Sequence, residues 1–215
     1  MAEVIDALMV KTPPREPYSF AADKAIPSGR LPIEQRTDVT VNELEKISLP
    51  SPAELYNGKV VLEHKWPPRD IIQGNIHAAL KAYVRRNRIG YVTKETGFQL
   101  WPDRPNELRF PDVAFIKRER LPEKLERFLQ IAPDLAVEIV GPDDTVGHTF
   151  DKVNAYLKQG SQVVWLIVPF TRLRHVLVCT ATGKDSTNDI LTASKLLPGF
   201  ELPVSKIFEG IPLPD

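Results

Sequence analysis

Asp134-Leu-Ala-Val-Glu-Ile-Val140 alternates as a β-strand, and His148 to Lys158 carries a helical period with Phe150, Val153 and Leu157 on one face. Between them, Gly141-Pro-Asp-Asp-Thr-Val-Gly147 is long enough to turn the helix back across a sheet, and Gly160 is placed to end it. Gln162 to Val168 follows and is almost wholly apolar. A strand of that kind is buried on both faces and is expected near the centre of its sheet. Strand, returning helix and buried strand together predict an α/β domain.

The same reading extends outward from this unit. Tyr91 to Leu100 and Leu108 to Ile116 alternate as further strands, with a charged, helix-leaning stretch from Leu121 to Gln130 after them. Ile71 to Val84 places Ile72, Ile76, Ala79, Leu80 and Tyr83 at helical spacing, ending in a basic cluster and Gly90. Lys59 to Glu63, preceded by the turn dipeptide Asn57-Gly58, reads as a strand whose hairpin partner lies around Leu55. Downstream, Leu173 to Cys179 is a strand, Thr180 to Asn188 a polar loop, and Leu196-Leu-Pro-Gly-Phe-Glu-Leu-Pro203 a closing segment. The first fifty residues are Pro-rich and lack a sustained period; a short helix at Val41 to Lys46 has Thr40 as cap and Glu43 three residues later. The expected organisation is an irregular extension over 1–52, one domain over 53–210 and a tail over 211–215.

Composition excludes several classes. With 28 Lys+Arg against 28 Asp+Glu the net charge is zero, without the basic excess of avid nucleic-acid binders, so any such binding has to come from local patches. One patch is Lys81-Ala-Tyr-Val-Arg-Arg-Asn-Arg88, beside Tyr91, whose plainer reading is the solvated end of a helix with cations at its negative pole. Apolar runs are too short to span a membrane, and the N-terminus has no secretory pattern, so a cytoplasmic protein is expected. Cys179 is a lone thiol in an apolar strand, expected to be buried. His64, His77, His148 and His175 are scattered and offer no zinc spacing; no P-loop, G-x-G-x-x-G or G-x-S-x-G motif is present. Trp66, before Pro67-Pro68, could stack on a base, though packing at the start of the first long helix is the plainer account.

The chemistry lies in the acidic residues of the strands. Alternation puts Asp112 on the face of Phe110 and Ala114, and Glu138 on the face of Ala136 and Val140. A carboxylate in such company costs several kcal/mol unless paired, so two on neighbouring strands invite a divalent ion. Magnesium, or manganese, is the expected one, because it takes oxygen ligands and keeps waters that can act as nucleophile. Phosphodiester hydrolysis also benefits from a cation that orients the water, and Lys152, on the helix after the Glu138 strand, is the candidate.

Several short motifs fall in a familiar order: Lys94-Glu-Thr-Gly-Phe-Gln-Leu100, Phe110-Pro-Asp-Val-Ala-Phe115, Ala132-Pro-Asp-Leu-Ala-Val-Glu-Ile139, Asp151-Lys-Val-Asn-Ala-Tyr156, Gly160 with Val164-Trp-Leu166, and Leu197-Pro-Gly-Phe200. In this succession the chain resembles the Uma-two-type restriction endonuclease family, similar to the PD-(D/E)XK nuclease superfamily. The resemblance covers about Glu54 to Phe208. It implies a restriction-endonuclease-like core, a mixed central sheet flanked by helices, with Asp112 and Glu138 as metal ligands. The superfamily's lysine would then have moved to Lys152, since the E-X-K position holds Val140. Glu95 is implied as an additional catalytic carboxylate, and Glu54 as a weaker one. DNA as substrate, hydrolysed with Mg2+ or Mn2+, and a homodimer are implied too. Gly141, Gln73, His148 and Val168 depart from the family pattern, which keeps open a second reading: a catalytically silent fold serving as a nucleic-acid-binding or assembly module.

Overall fold

The computed structural model describes residues 31–47, 52–62, 66–170, 174–187 and 189–211. Helix α1 (Val41–Glu45) is capped by Thr40, whose hydroxyl accepts the Glu43 N–H, and it buries Val41 and Leu44. Strands β1 (Ala53–Tyr56) and β2 (Lys59–Leu62) pair antiparallel across Asn57 and Gly58. Both turn residues have positive φ, 48° and 79°, the two-residue hairpin geometry that the dipeptide predicts. A Cβ on Gly58 would lie 2.4 Å from the Thr37 carbonyl oxygen, so the turn requires glycine there. The hairpin, α1 and Leu108 share a small apolar cluster with Phe110 and Phe128.

Helix α2 (Pro67–Asn87) begins earlier than its apolar period, because prolines in the first turn lack only N–H groups that would have no helical partner anyway. It is followed by β3 (Gly90–Lys94), β4 (Gly97–Phe98), β5 (Val113–Lys117), β6 (Phe128–Leu129), β7 (Leu135–Ile139), α3 (Val146–Lys158), β8 (Val163–Val168), β9 (His175–Thr180), β10 (Gly183–Thr187), β11 (Ile190–Thr192), β12 (Glu201–Pro203) and α4 (Val204–Ile207). Six strands make the main sheet in the order β10-β9-β8-β7-β5-β3. Every pairing in it is antiparallel except β7 with β8, which α3 connects. The apolar β8 lies inside the sheet with all six residues buried, as its composition demands. One face packs Ile72, Ile76 and Leu80 of α2 together with Leu197 and Phe200 against Val113, Val137 and Trp165. The other packs Val153 and Tyr156 of α3 against Ala136, Val164 and Leu166. This is a mixed α/β core with helices on both faces. Among the described residues no helix is long and apolar enough to cross a membrane.

Three expectations need correction. Leu121 to Gln130 is not helical: a short 3-10 turn at Arg118–Arg120 precedes it and its end is β6, parallel to β4. Leu121, Leu125, Phe128 and Leu129 have helical spacing, but Phe128 and Leu129 are buried as a strand while Leu125 stays exposed, so the stripe is not buried as one helix face. Tyr91 to Leu100 is broken at Glu95, whose φ of 49° turns the chain between β3 and β4. Thr180 to Asn188 contains β10, an edge strand on β9. Polar edge strands are read as loops because they have no apolar alternation to show. Cys179 is buried as expected, and burial pushes its thiol pKa up.

Candidate active site

Glu138 stands in β7 and Lys152 on α3, the helix that the Gly141–Gly147 loop returns over the sheet. Asp144 holds that loop by accepting the Gly141 N–H at 2.6 Å, and Thr145 caps the helix by accepting the His148 N–H. Lys152 is buried, with Nζ 2.5 Å from Glu138 Oε2 and 3.0 Å from Glu54 Oε1. One helical turn on, Tyr156 donates its hydroxyl to Glu138 Oε1 at 2.8 Å. Glu54, on β1, accepts from the Tyr56 hydroxyl at 2.7 Å and from the Phe110 N–H at 2.9 Å. The Arg109 guanidinium lies 3.7 Å from the centre of the Tyr56 ring and pairs with Glu107 at 2.8 Å.

Asp112 is held differently. The ladder between β5 and β7 starts at Val113 opposite Val137, and just before it the Asp112 carboxylate takes the Ile139 N–H at 2.7 Å. The backbone thus leaves the sheet and a side chain replaces it. Arg69, in the first turns of α2, donates from Nε at 2.6 Å to Oδ1 and from Nη2 at 3.0 Å to Oδ2. Four residues along the same helix face, Gln73 donates to the Asp112 carbonyl at 3.1 Å. The Asp112 side chain has no exposed area.

A cavity of about 370 Å³ opens over these groups. Glu54, Glu138, Lys152, Arg69, Trp66 and His148 are in its wall, whereas Asp112 is not. Arg69 therefore stands between Asp112 and the open space. Trp66, at the start of α2, meets Phe170 with ring centroids 5.1 Å apart, and His148 lies 4.9 Å from the Tyr56 ring.

Burial pushes the Glu138 carboxyl up to about 8. Lys152 opposes the rise, but the charges of Glu54 and Asp112 add to it. For Glu54 burial also raises the pKa, yet Lys152 and the donors Phe110 N–H and Tyr56 O–H outweigh it and leave the carboxyl below its ordinary value. Burial and the neighbouring carboxylates raise both tyrosines, so Tyr56 and Tyr156 remain donors. With Glu54 ionised against Lys152, a second buried negative charge on Glu138 would be unbalanced, and Glu138 accordingly keeps its proton towards neutral pH.

Of the residues singled out in the sequence, Glu138 and Lys152 are in direct contact, and Asp112 is close enough for its charge to act on Glu138. Glu54, the weaker candidate, shares the lysine. Glu95 is exposed in its left-handed turn and is not in the cavity wall. Sequence reasoning missed Arg69, Tyr56 and Tyr156. Tyr156 had a signal, its spacing of four from Lys152 on one helix face. Arg69 had only its spacing of four from Gln73, with nothing to show that this face meets Asp112.

The order of strands, the one parallel pair of the six-stranded sheet and the acidic cluster against β7 define a restriction-endonuclease-like α/β core. Residues 42–205 match the family described as "Putative restriction endonuclease" (Uma2), and the chain belongs to that family. The fold is similar to that of a protein from Anabaena variabilis described as "a putative nuclease belonging to DUF820". The TM-score is 0.67 at 21% identity, covering 79% of this chain and 97% of that one, a likeness of fold. Among curated protein sequences none matches the chain.

Proposed function

We propose that the protein is a magnesium-dependent endodeoxyribonuclease that hydrolyses DNA phosphodiester bonds at the Glu138–Lys152 cavity. The observation that carries this reading is the convergence of buried Glu54, Glu138 and Lys152 on one cavity, with Asp112 behind Arg69. The donors of the buried cluster are carboxylate oxygens, which suit Mg2+ or Mn2+. Among the described residues no group of three or more His, Cys, Asp or Glu is arranged to hold a metal. That fits an ion bound by one or two carboxylates that keeps its remaining positions for water and a substrate phosphate.

Glu138 and Asp112 would hold the ion, and when bound it supplies polarisation of the phosphoryl oxygen and a more acidic attacking water. Lys152 would orient the attacking water and balance the negative charge on the phosphate as the P–O bond to water forms and the P–O bond to the leaving sugar oxygen breaks. Tyr156 and Tyr56, as protonated donors, fix the rotamers of Glu138 and Glu54 so that Lys152 keeps one position between them. The loop and cap before α3 set the height of Lys152 above the sheet.

A second reading, a silent binding or assembly module, is favoured by Arg69 already neutralising Asp112. The two readings differ in a melting experiment. A metal-using site binds the ion only when folded, so millimolar Mg2+ or Mn2+ raises the unfolding temperature of the wild type and not of Glu138→Gln. An unchanged wild-type melting temperature supports the silent module.

A further inference from the structure

Arg69 occupies the position from which an ion would be expected to approach Asp112. Its guanidinium grips both carboxylate oxygens at 2.6 and 3.0 Å, and the side chain of Asp112 is wholly buried beneath it. Arg69 itself belongs to the cavity wall and its side chain is 13% exposed, so the guanidinium that holds the carboxylate also borders the cavity. An arginine fork matches a phosphate as well as it matches a carboxylate. Asp112 keeps the Ile139 N–H at 2.7 Å whichever cation it faces, so losing the arginine does not leave it without a donor.

Resting on the nuclease reading above, we propose that Arg69 is an exchangeable counter-ion. It neutralises Asp112 while the site lacks its divalent ion, gives up the carboxylate when the ion binds, and turns within the cavity to hold a substrate phosphate. Two consequences of opposite sign follow. Removing the guanidinium removes a competitor for Asp112, so the ion binds more tightly; it also removes a phosphate ligand, so cleavage falls. An arginine that merely oriented Asp112 would lose both together.

The test is a calorimetric titration of Mn2+ into the wild type, Arg69→Ala and Arg69→Lys, with DNA cleavage measured at saturating Mn2+. A unit charge taken from within hydrogen-bonding distance predicts that Arg69→Ala binds Mn2+ about tenfold more tightly. Its cleavage is predicted to fall by at least about tenfold, as when a transition-state charge clamp is lost. Arg69→Lys, which keeps the charge without the fork, is expected to bind Mn2+ between the other two and serves if the alanine variant does not fold. Unchanged or weaker Mn2+ binding in a folded Arg69 variant overturns the exchange while leaving the nuclease reading intact. A wild type that binds no Mn2+ overturns both.

Discussion

Glu138 is the residue at which burial and pairing compete most sharply. Lys152 is 2.5 Å away, yet the low-dielectric surroundings and two neighbouring carboxylates raise the Glu138 pKa from 4.5 to about 8. Between those values the folded protein keeps a proton that the unfolded chain has released. Stability from this source is therefore full below about pH 4.5 and lost as the pH rises through about 8. Urea midpoints of the metal-free protein should accordingly fall between pH 5 and pH 8, and Glu138→Gln should flatten that slope; equal slopes in the two proteins would show that another group is responsible. Tyr156→Phe should cost about 1–3 kcal/mol by taking a donor from a buried carboxylate, read from the same urea curves. At this scale the sequence showed the acids and the lysine through strand alternation and family motifs. It could not show Arg69, because Asp112 is 43 residues away and no local period links the two; Tyr56 did have a signal, its spacing of two from Glu54 on one strand face.

Helix α3 and the strands around it were legible because each has a burial period that matches its geometry. Val153 and Tyr156 face the sheet, and the β8 run is apolar at every position. Where period and burial do not match, the reading went astray. The Leu121–Gln130 stretch has apolar residues at helical spacing, yet tertiary packing draws Phe128 and Leu129 into a strand, and β10 hid behind polar residues that an edge strand tolerates. The turn at Glu95 could not be seen either, since a positive φ at a non-glycine residue has no sequence signature strong enough to break a run of alternation. The cap of α3 has a direct consequence for the site. Thr145→Ala should destabilise the protein by about 1 kcal/mol. Because the first turn of α3 sets where Lys152 lies, cleavage should fall in this variant even at temperatures where it is fully folded, as circular dichroism would verify. Undiminished cleavage would mean that Lys152 is positioned by its carboxylate partners alone.

Across the whole molecule, basic and acidic residues cancel, and the exposed cations Lys81, Arg85, Arg86 and Arg88 lie at the far end of α2 from Arg69. At about 1.5 Å per residue the cluster begins about 18 Å along the helix from Arg69 and ends about 28 Å from it. A protein with so little local positive charge at its site should neutralise only about two phosphates, so DNA affinity should fall by only about tenfold between 50 and 200 mM salt. A much steeper loss in a fluorescence anisotropy titration would show that the distant cluster joins the interface. The central claim rests on the buried acid–lysine cluster as a hydrolytic site, and strand scission tests it most directly. With Mg2+ or Mn2+ the wild type and Lys158→Ala, altered at an exposed position of the same helix, should cut DNA, while Lys152→Ala, folded by circular dichroism, should not. Cutting by Lys152→Ala at the wild-type rate, or none by the wild type with either ion, would contradict the account.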